Sequence, residues 1–211
     1  MEGMRRRRRY QFAVLKWFEQ GIPVLELAFD CGREGAQIFT MIPQWLRKSG
    51  LSLLLGGSLF AAVPQSGEQA PAVSSQDQDG KPWTLATESG KSAVLLYFYP
   101  KDDTPGCTKE ACGLRDRMGD LQKDGVKVVG VSFDSAESHQ KFRAKYSLNF
   151  PLLVDADGKV ADAFGVRMPD KPMARRVSFL IDKAGKIAHV TDSRDAQVHL
   201  DEMKEAIRKL H

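Results

Sequence analysis

Cys107 is the residue whose setting is most suited to chemistry. It follows Lys101-Asp102-Asp103-Thr104-Pro105-Gly106 and stands near the start of an expected helix. A thiolate, not a thiol, is the nucleophile, and an ordinary thiol with a pKa of about 8.5 is mostly protonated at neutral pH. Thr104 followed by Pro105 is a helix-start signal. The threonine oxygen can cap free backbone N–H groups, and proline suits the first helical position because it has no N–H to leave unpaired. Cys107 then falls in the first turn, beside unpaired N–H groups and the positive end of the helix dipole. That setting, helped by a nearby arginine, favours the thiolate. The alternative is a small buried hydrophobe. The order of strand, proline, cap and cysteine argues against it.

The elements that must position this cysteine are legible on both sides. Ala93 to Tyr99 is an unbroken apolar and aromatic run closed by Pro100, which fits a strand buried on both faces. A helix is expected from about Thr104 to Lys123, a second apolar strand over Val126 to Phe133, and a helix over Ser135 to Tyr146. Pro151 to Val154 reads as a short strand, Asp155 to Gly158 as a turn, and Val160 to Phe164 as a helical turn. Gly165 to Ala174 has two prolines and no periodicity, and reads as a loop. Val177–Ile181 and Ile187–Thr191 form a hairpin across Asp182-Lys183-Ala184-Gly185. Asp195 to Leu210 closes the chain as an amphipathic helix, with Val198, Met203, Ile207 and Leu210 able to share a face. Before all of these, Asp79-Gly80-Lys81 is a turn between two short extended pieces. Alternating strands and helices followed by a hairpin predict an α/β fold with a central mixed sheet flanked by helices.

The stretch Tyr97-Phe98-Tyr99-Pro100-Lys101-Asp102-Asp103-Thr104-Pro105-Gly106-Cys107-Thr108-Lys109-Glu110-Ala111-Cys112 resembles the active-site signature of a peroxiredoxin. It is most similar to the atypical two-cysteine Q type, the bacterioferritin comigratory protein family. The resemblance spans roughly residues 67–210 and implies a thioredoxin-like fold. It implies a thiol peroxidase that reduces hydrogen peroxide and organic hydroperoxides, is recycled by thioredoxin or a similar dithiol, acts as a monomer and needs no cofactor or metal. In the family pattern P-x-x-x-T-x-x-C the matching residues are Pro100, Thr104 and Cys107. By resemblance Cys107 is the peroxidatic cysteine, Pro100 shields its thiolate from water, and the Thr104 hydroxyl holds the peroxide. The backbone N–H groups of Gly106 and Cys107 are further candidate donors. The family pattern R-x-S-F-L-I-D aligns with Arg176, and strand alternation leaves Arg175 as a surface charge. Glu110 matches a glutamate that orients the arginine, or is simply a helix-face charge. The family's entry motif is only half present, as Ala70-Pro71-Ala72-Val73, so slightly different packing is expected there.

Cys112 matches the resolving cysteine of the Q subtype, which pairs with Cys107. In an intact helix, residues five apart are ~7.5 Å apart along the axis and point in different directions. A disulfide needs Cα atoms within about 7 Å and correctly aimed Cβ vectors. The resemblance therefore implies that the first helical turns unwind during the cycle, and Gly113 is expected to ease that motion. Two other functions use the same residues. A general dithiol–disulfide oxidoreductase is disfavoured because no C-x-x-C is present. A peroxide sensor that passes its disulfide to a partner differs from a peroxidase only in turnover.

Composition bounds the rest. With 211 residues and 42% hydrophobic content, the chain has room for one globular domain and an extension. Residues 1–48 carry nine Lys/Arg and five Asp/Glu, whereas residues 49–211 carry 22 of each. The domain thus shows no bulk attraction to nucleic acid. Three cysteines are too few for a disulfide scaffold, Cys31 is expected to be idle, and no histidine stands in a metal-ligand spacing.

Residues 1–40 are expected to be a basic extension, disordered or upstream of a true start at Met41. The Arg5–Arg9 run reads as a solvated end in preference to a nucleic-acid or membrane patch. Tyr10 to Phe29 is interrupted by Lys16, Glu19 and Glu26 and is a poor membrane span. Residues 41–66 hold an apolar segment and a linker. Arg47-Lys48 before Leu51–Val63 has the pattern of a secretory signal, with an apolar core of about 7–15 residues, and Pro64 to Ala72 reads as the linker. A short buried helix and an uncleaved membrane tether are the alternatives. The pattern implies export to the periplasm or tethering to the inner membrane of a bacterium; a cytoplasmic protein is the alternative. Residues 67–211 are expected to be the domain.

Overall fold

The computed structural model describes residues 62–210. Arg5–Arg9, Cys31 and most of the apolar segment at 51–63 lie outside the described residues. A seven-stranded mixed sheet runs through the middle. Its strands are β1 (Ser74–Asp77), β2 (Pro82–Thr84), β3 (Ala93–Phe98), β4 (Val126–Ser132), β5 (Leu152–Val154), β6 (Val177–Ile181) and β7 (Ile187–Asp192), arranged β2-β1-β5-β4-β3-β6-β7. The three central pairings differ in sense. β3 runs parallel to β4 and β4 parallel to β5, whereas β6 runs antiparallel to β3 and sets Val177 opposite Phe98. This mixed sheet is the predicted one.

The parallel pairs need crossovers, and helices supply them. They are α1 (Pro105–Asp116) and α2 (Met118–Lys123) between β3 and β4, and α3 (Ala136–Tyr146) between β4 and β5. The short α4 (Lys159–Ala163) and the long α5 (Ala196–Arg208) complete the set. Strand alternation divides the core in two. Leu95, Tyr97, Tyr99, Val128, Leu152 and Leu180 face α1, α2, α3 and α5. Leu96, Phe98, Val129, Val131 and Phe179 face α4 and the following loop. Among the described residues the α-helical cover is therefore uneven, with α1, α2, α3 and α5 on one face and the short α4 on the other, where the single turn Leu85–Thr87 also packs.

Three details depart from the expected elements. The helix after β3 is not continuous to Lys123; it breaks at Arg117, whose backbone turns to φ −97°, ψ 0°. The Arg117 guanidinium donates to the Leu200 carbonyl at 2.7 Å, and the break keeps Met118 and Leu121 against the sheet. The buried face of α5 comprises Ala196, His199, Leu200, Met203, Ala206 and Ile207, so Val198 is not part of it. Gly113 has a packing role: a Cβ there would stand 2.4 Å from Leu200 Cδ1. Its missing side chain is what lets α1 lie against α5. At the chain entry, Ala70 is buried and Gly67 to Ala70 hydrogen-bond along Gly185 and Ile187. Among the described residues, no helix is long and apolar enough to cross a membrane.

Candidate active site

The site forms where β3 ends, α1 begins and β6 starts. Antiparallel pairing of β3 with β6 makes this meeting unavoidable: Phe98 lies opposite Val177, so Arg176 must lie next to the loop that leaves β3. On β6, Val177, Phe179 and Ile181 face the α4 side and Leu180 faces the α1 side. Arg176 and Ser178 share the parity of Leu180 and reach toward α1. Arg175 points away and pairs with Asp192 at 2.6 Å, as the alternation requires.

Cys107 is buried, with 1% of its surface exposed. Arg176 Nη2 donates to its Sγ at 3.2 Å, and Arg176 Nη1 donates to Glu110 Oε2. One planar guanidinium thus joins the cysteine to the carboxylate, the fork geometry that arginine alone supplies. Glu110 is fully buried, so it is not a surface helix charge. Burial pushes its carboxyl up to about 7, against the opposing pull of Arg176. Burial lowers the Arg176 pKa, but the charges of Glu110 and Cys107 outweigh it and raise the net value.

Gly106 explains how Arg176 comes so close. A Cβ at that position would stand 3.1 Å from Arg176 Nη2. The glycine leaves room for the guanidinium at the first turn of α1. The N–H groups of Gly106 and Cys107 belong to that first turn and have no intrahelical acceptor. The first backbone bond there is Thr108 N to Thr104 O, at 2.8 Å.

Thr104 stands at the N-cap position with extended backbone, φ −91° and ψ 151°, but its side chain caps no N–H group. Its hydroxyl donates instead to the Lys101 carbonyl at 3.1 Å. The expected capping bond is therefore absent, because the tight Lys101–Thr104 turn offers the hydroxyl a nearer partner. The Thr104 oxygen keeps its lone pairs, and the first-turn N–H groups stay open to a ligand. Pro100 is half-buried at the end of β3. Cys112 is half-buried on the same intact helix as Cys107, and both thiols are free.

Two residues that the sequence reading did not single out stand behind Glu110. Ser178 Oγ lies 3.5 Å from Glu110 Oε1 and 2.7 Å from His199 Nδ1. His199 Nε2 faces the Ser193 carbonyl at 2.9 Å. A carbonyl only accepts, so Nε2 carries the proton and Nδ1 accepts from the Ser178 hydroxyl. Burial depresses the His199 pKa, in keeping with a neutral ring. Ser178 could have been found from its place two residues after Arg176 on one strand face. His199, on a distant helix, carries no such signal. Tyr97 lies beneath the same helix face. Burial and the nearby Glu110 charge hold its phenol well above the ordinary range, and among the described residues its hydroxyl has no hydrogen-bond partner.

A groove of about 310 Å³ opens beside Arg176, lined by Met168, Pro169, Arg175, Ser193 and Arg194 among others. Among the described residues, no three His, Cys, Asp or Glu side chains are grouped to hold a metal ion.

The chain is similar in sequence and in fold to proteins of known family. Peroxiredoxin Bcp of Escherichia coli strain K12 is 46% identical over 143 residues, which are 65% of this chain and 91% of that protein. The crystal structure of peroxidoxin BcpB from Mycobacterium tuberculosis superposes with a TM-score of 0.66 at 33% identity, covering 70% of this chain and 98% of that one. A structure of the Xanthomonas campestris bacterioferritin comigratory protein, described for its alkyl peroxide reduction activity, superposes with a TM-score of 0.60 at 31% identity, covering 65% and 90%. Residues 66–190 match the AhpC/TSA family, and with these relatives the chain belongs to that family as a peroxiredoxin of the Bcp and Q kind.

Proposed function

We propose that this thiol peroxidase reduces hydrogen peroxide and organic hydroperoxides through a Cys107 sulfenic acid and a Cys107–Cys112 disulfide. The observation that carries the reading is Arg176 Nη2 at 3.2 Å from Cys107 Sγ, at the open first turn of a helix. The Cys107 thiolate attacks one oxygen of ROOH. A sulfur–oxygen bond forms, the O–O bond breaks, and RO⁻ leaves and takes a proton to become ROH. Charge grows on the leaving oxygen, and Arg176 with the N–H groups of Gly106 and Cys107 are the donors that stabilise it. Thr104, its proton committed to Lys101, accepts a hydrogen bond from the peroxide. Pro100 shields the thiolate. Glu110 holds the guanidinium in its working orientation.

Cys112 then attacks the Cys107 sulfur. A disulfide forms, and the sulfenic oxygen departs as water. An external dithiol such as thioredoxin reduces the bond and returns both thiols. Both cysteines lie in one chain, which supports a monomer. The Xanthomonas relative's alkyl peroxide activity and the groove beside Arg176 support organic hydroperoxides as substrates.

The test is peroxide turnover by the full chain coupled to thioredoxin, beside Cys107→Ser and Cys112→Ser. Multiple turnovers by the parent, none by Cys107→Ser and a stalled sulfenic acid in Cys112→Ser are expected. Full turnover by Cys112→Ser would remove Cys112 from its role. The basic and apolar pattern at Arg47–Val63 supports export or membrane tethering. Recovery of the native protein wholly in the cytosolic fraction would overturn that part of the reading.

A further inference from the structure

The loop that carries α1 is fastened to α3, away from the reacting groups. Lys101 to Thr104 contains two adjacent carboxylates, and both reach α3 side chains. Asp102 is 7% exposed. Its Oδ1 accepts from Tyr99 Oη at 2.7 Å, and its Oδ2 accepts from Ser138 Oγ at 2.7 Å and faces His139 Nδ1 at 2.8 Å. Its backbone N–H donates to Asp134 Oδ2 at 2.9 Å. Asp103 accepts from Lys145 Nζ at 2.7 and 2.9 Å and from Tyr146 Oη at 2.6 Å. The Asp103 backbone sits at φ +54°, a left-handed conformation that is uncommon outside glycine but that aspartate tolerates, and its side-chain bonds to α3 help to hold it.

His139 makes the inner fastening firm. It is fully buried, and its Nε2 faces the Leu153 carbonyl at 3.2 Å. Its Nδ1 lies in hydrogen-bond contact with the Asp102 carboxylate at 2.8 Å, at a place shielded from water. α3 is itself seated on the sheet by Phe142. The loop is thus tied to the rigid part of the molecule up to Asp103, and the helical turn with Cys107 begins two residues later.

We propose that Asp102 and His139 are positioning residues: they hold the β3–α1 loop in its attack-ready form and set how readily the first turns of α1 unwind. The inference rests on the peroxidase reading above. While the loop is held, the Cys107 sulfenic acid stays in the pocket, exposed to a second peroxide. Once α1 unwinds, it meets Cys112. The strength of the hold therefore sets the partition of the sulfenic acid between disulfide and sulfinic acid. Weakening it slows the first attack, speeds disulfide formation and protects against over-oxidation. A merely structural role would not move those rates in opposite directions.

The experiment compares full-length parent, Asp102→Asn, His139→Gln and Lys145→Met with Val160→Ala, a core change on the opposite sheet face chosen as a stability control. Quenched-flow mass spectrometry reads the rates of Cys107 oxidation and disulfide formation, and the sulfinic fraction at rising hydrogen peroxide. Hydrogen exchange over Thr104–Cys112 of the reduced protein reads the unwinding without any turnover. Loss of one charge-assisted bond is expected to shift the partition toward disulfide by on the order of tenfold in Asp102→Asn and His139→Gln. Lys145→Met, at an exposed pair that puts folding at little risk, shifts it less, in the same direction. Exchange over Thr104–Cys112 rises in the three loop variants and stays near the parent in Val160→Ala. Unchanged partition and exchange in the loop variants would overturn the proposal, as would an equal change in Val160→Ala. If the parent itself shows no Cys107-dependent peroxide reduction, the peroxidase reading fails, and the exchange data still decide whether α3 holds the helix.

Discussion

Replacing Glu110 by glutamine tests which force governs the buried carboxylate, burial or its ion pair with Arg176. Burial wins in this structure and lifts the carboxyl from an ordinary 4.5 to about 7. Relative to the unfolded chain, the folded chain therefore favours the protonated form of Glu110. The stability this group contributes is complete below about pH 4.5 and is lost as pH rises through about 7. At 1.36 kcal/mol per unit, the loss between those limits is about 3 kcal/mol. His199 works in the opposite sense, because its depressed pKa makes stability rise with pH up to the unfolded value. His199 Nδ1 lies 3.5 Å from Glu110 Oε1, so both proteins also carry His199→Gln, which removes the imidazole from the comparison. The assay is urea unfolding of both proteins in a Cys107→Ser background, from about pH 4 to about pH 8. The parent's advantage over Glu110→Gln is expected to shrink by about 3 kcal/mol across that range. A difference that stays flat, or grows with pH, would refute the reasoning. It would mean that Arg176 holds Glu110 ionised in spite of its burial.

Three further outcomes follow from the same geometry. Arg176→Lys keeps the charge but lacks the fork that spans Cys107 and Glu110, so single-turnover oxidation of Cys107 should slow by about 10²-fold, the cost of losing one preorganised donor. Gly106→Ala places a methyl 3.1 Å from Arg176 Nη2, and should slow the same step while changing urea stability by no more than about 0.5 kcal/mol, since the site is exposed. Gly113→Ala drives a methyl into Leu200 and should cost about 1–3 kcal/mol in urea unfolding; adding Leu200→Ala should make that increment smaller, and an undiminished increment would show that the clash is not its cause.

Much of the fold could be read from local pattern. The apolar run at Ala93–Phe98 and the alternation around Val177–Ile181 are properties of neighbouring residues, and both became strands. The break at Arg117 has only a weak local signal, Gly119 two residues on; the Arg117 guanidinium is seated on a carbonyl of α5, 83 residues away. The buried face of α5 departs from the expected one at Val198 for a related reason. Several periodic faces were available, and packing against α1 and β7 chose the one with His199 and Leu200.

The sequence by itself determined the order strand, proline, threonine, proline, cysteine, and therefore placed Cys107 in the first turn of a helix. It also determined that only one of Arg175 and Arg176 can face the cysteine, since successive side chains on a strand point to opposite sides; the family resemblance pointed to Arg176, and the strand pairing placed it there. Both are short-range consequences of backbone geometry. Only the tertiary structure decided that Glu110 is buried behind the arginine, that Ser178 and His199 back it, that Thr104 bonds to Lys101 instead of capping the helix, and that Asp102 and Asp103 are tied to α3. These depend on which surfaces meet once the sheet has closed. A carboxylate on a helix looks the same in the sequence whether it ends in water or against a guanidinium, and the energy that separates the two cases comes from residues far along the chain.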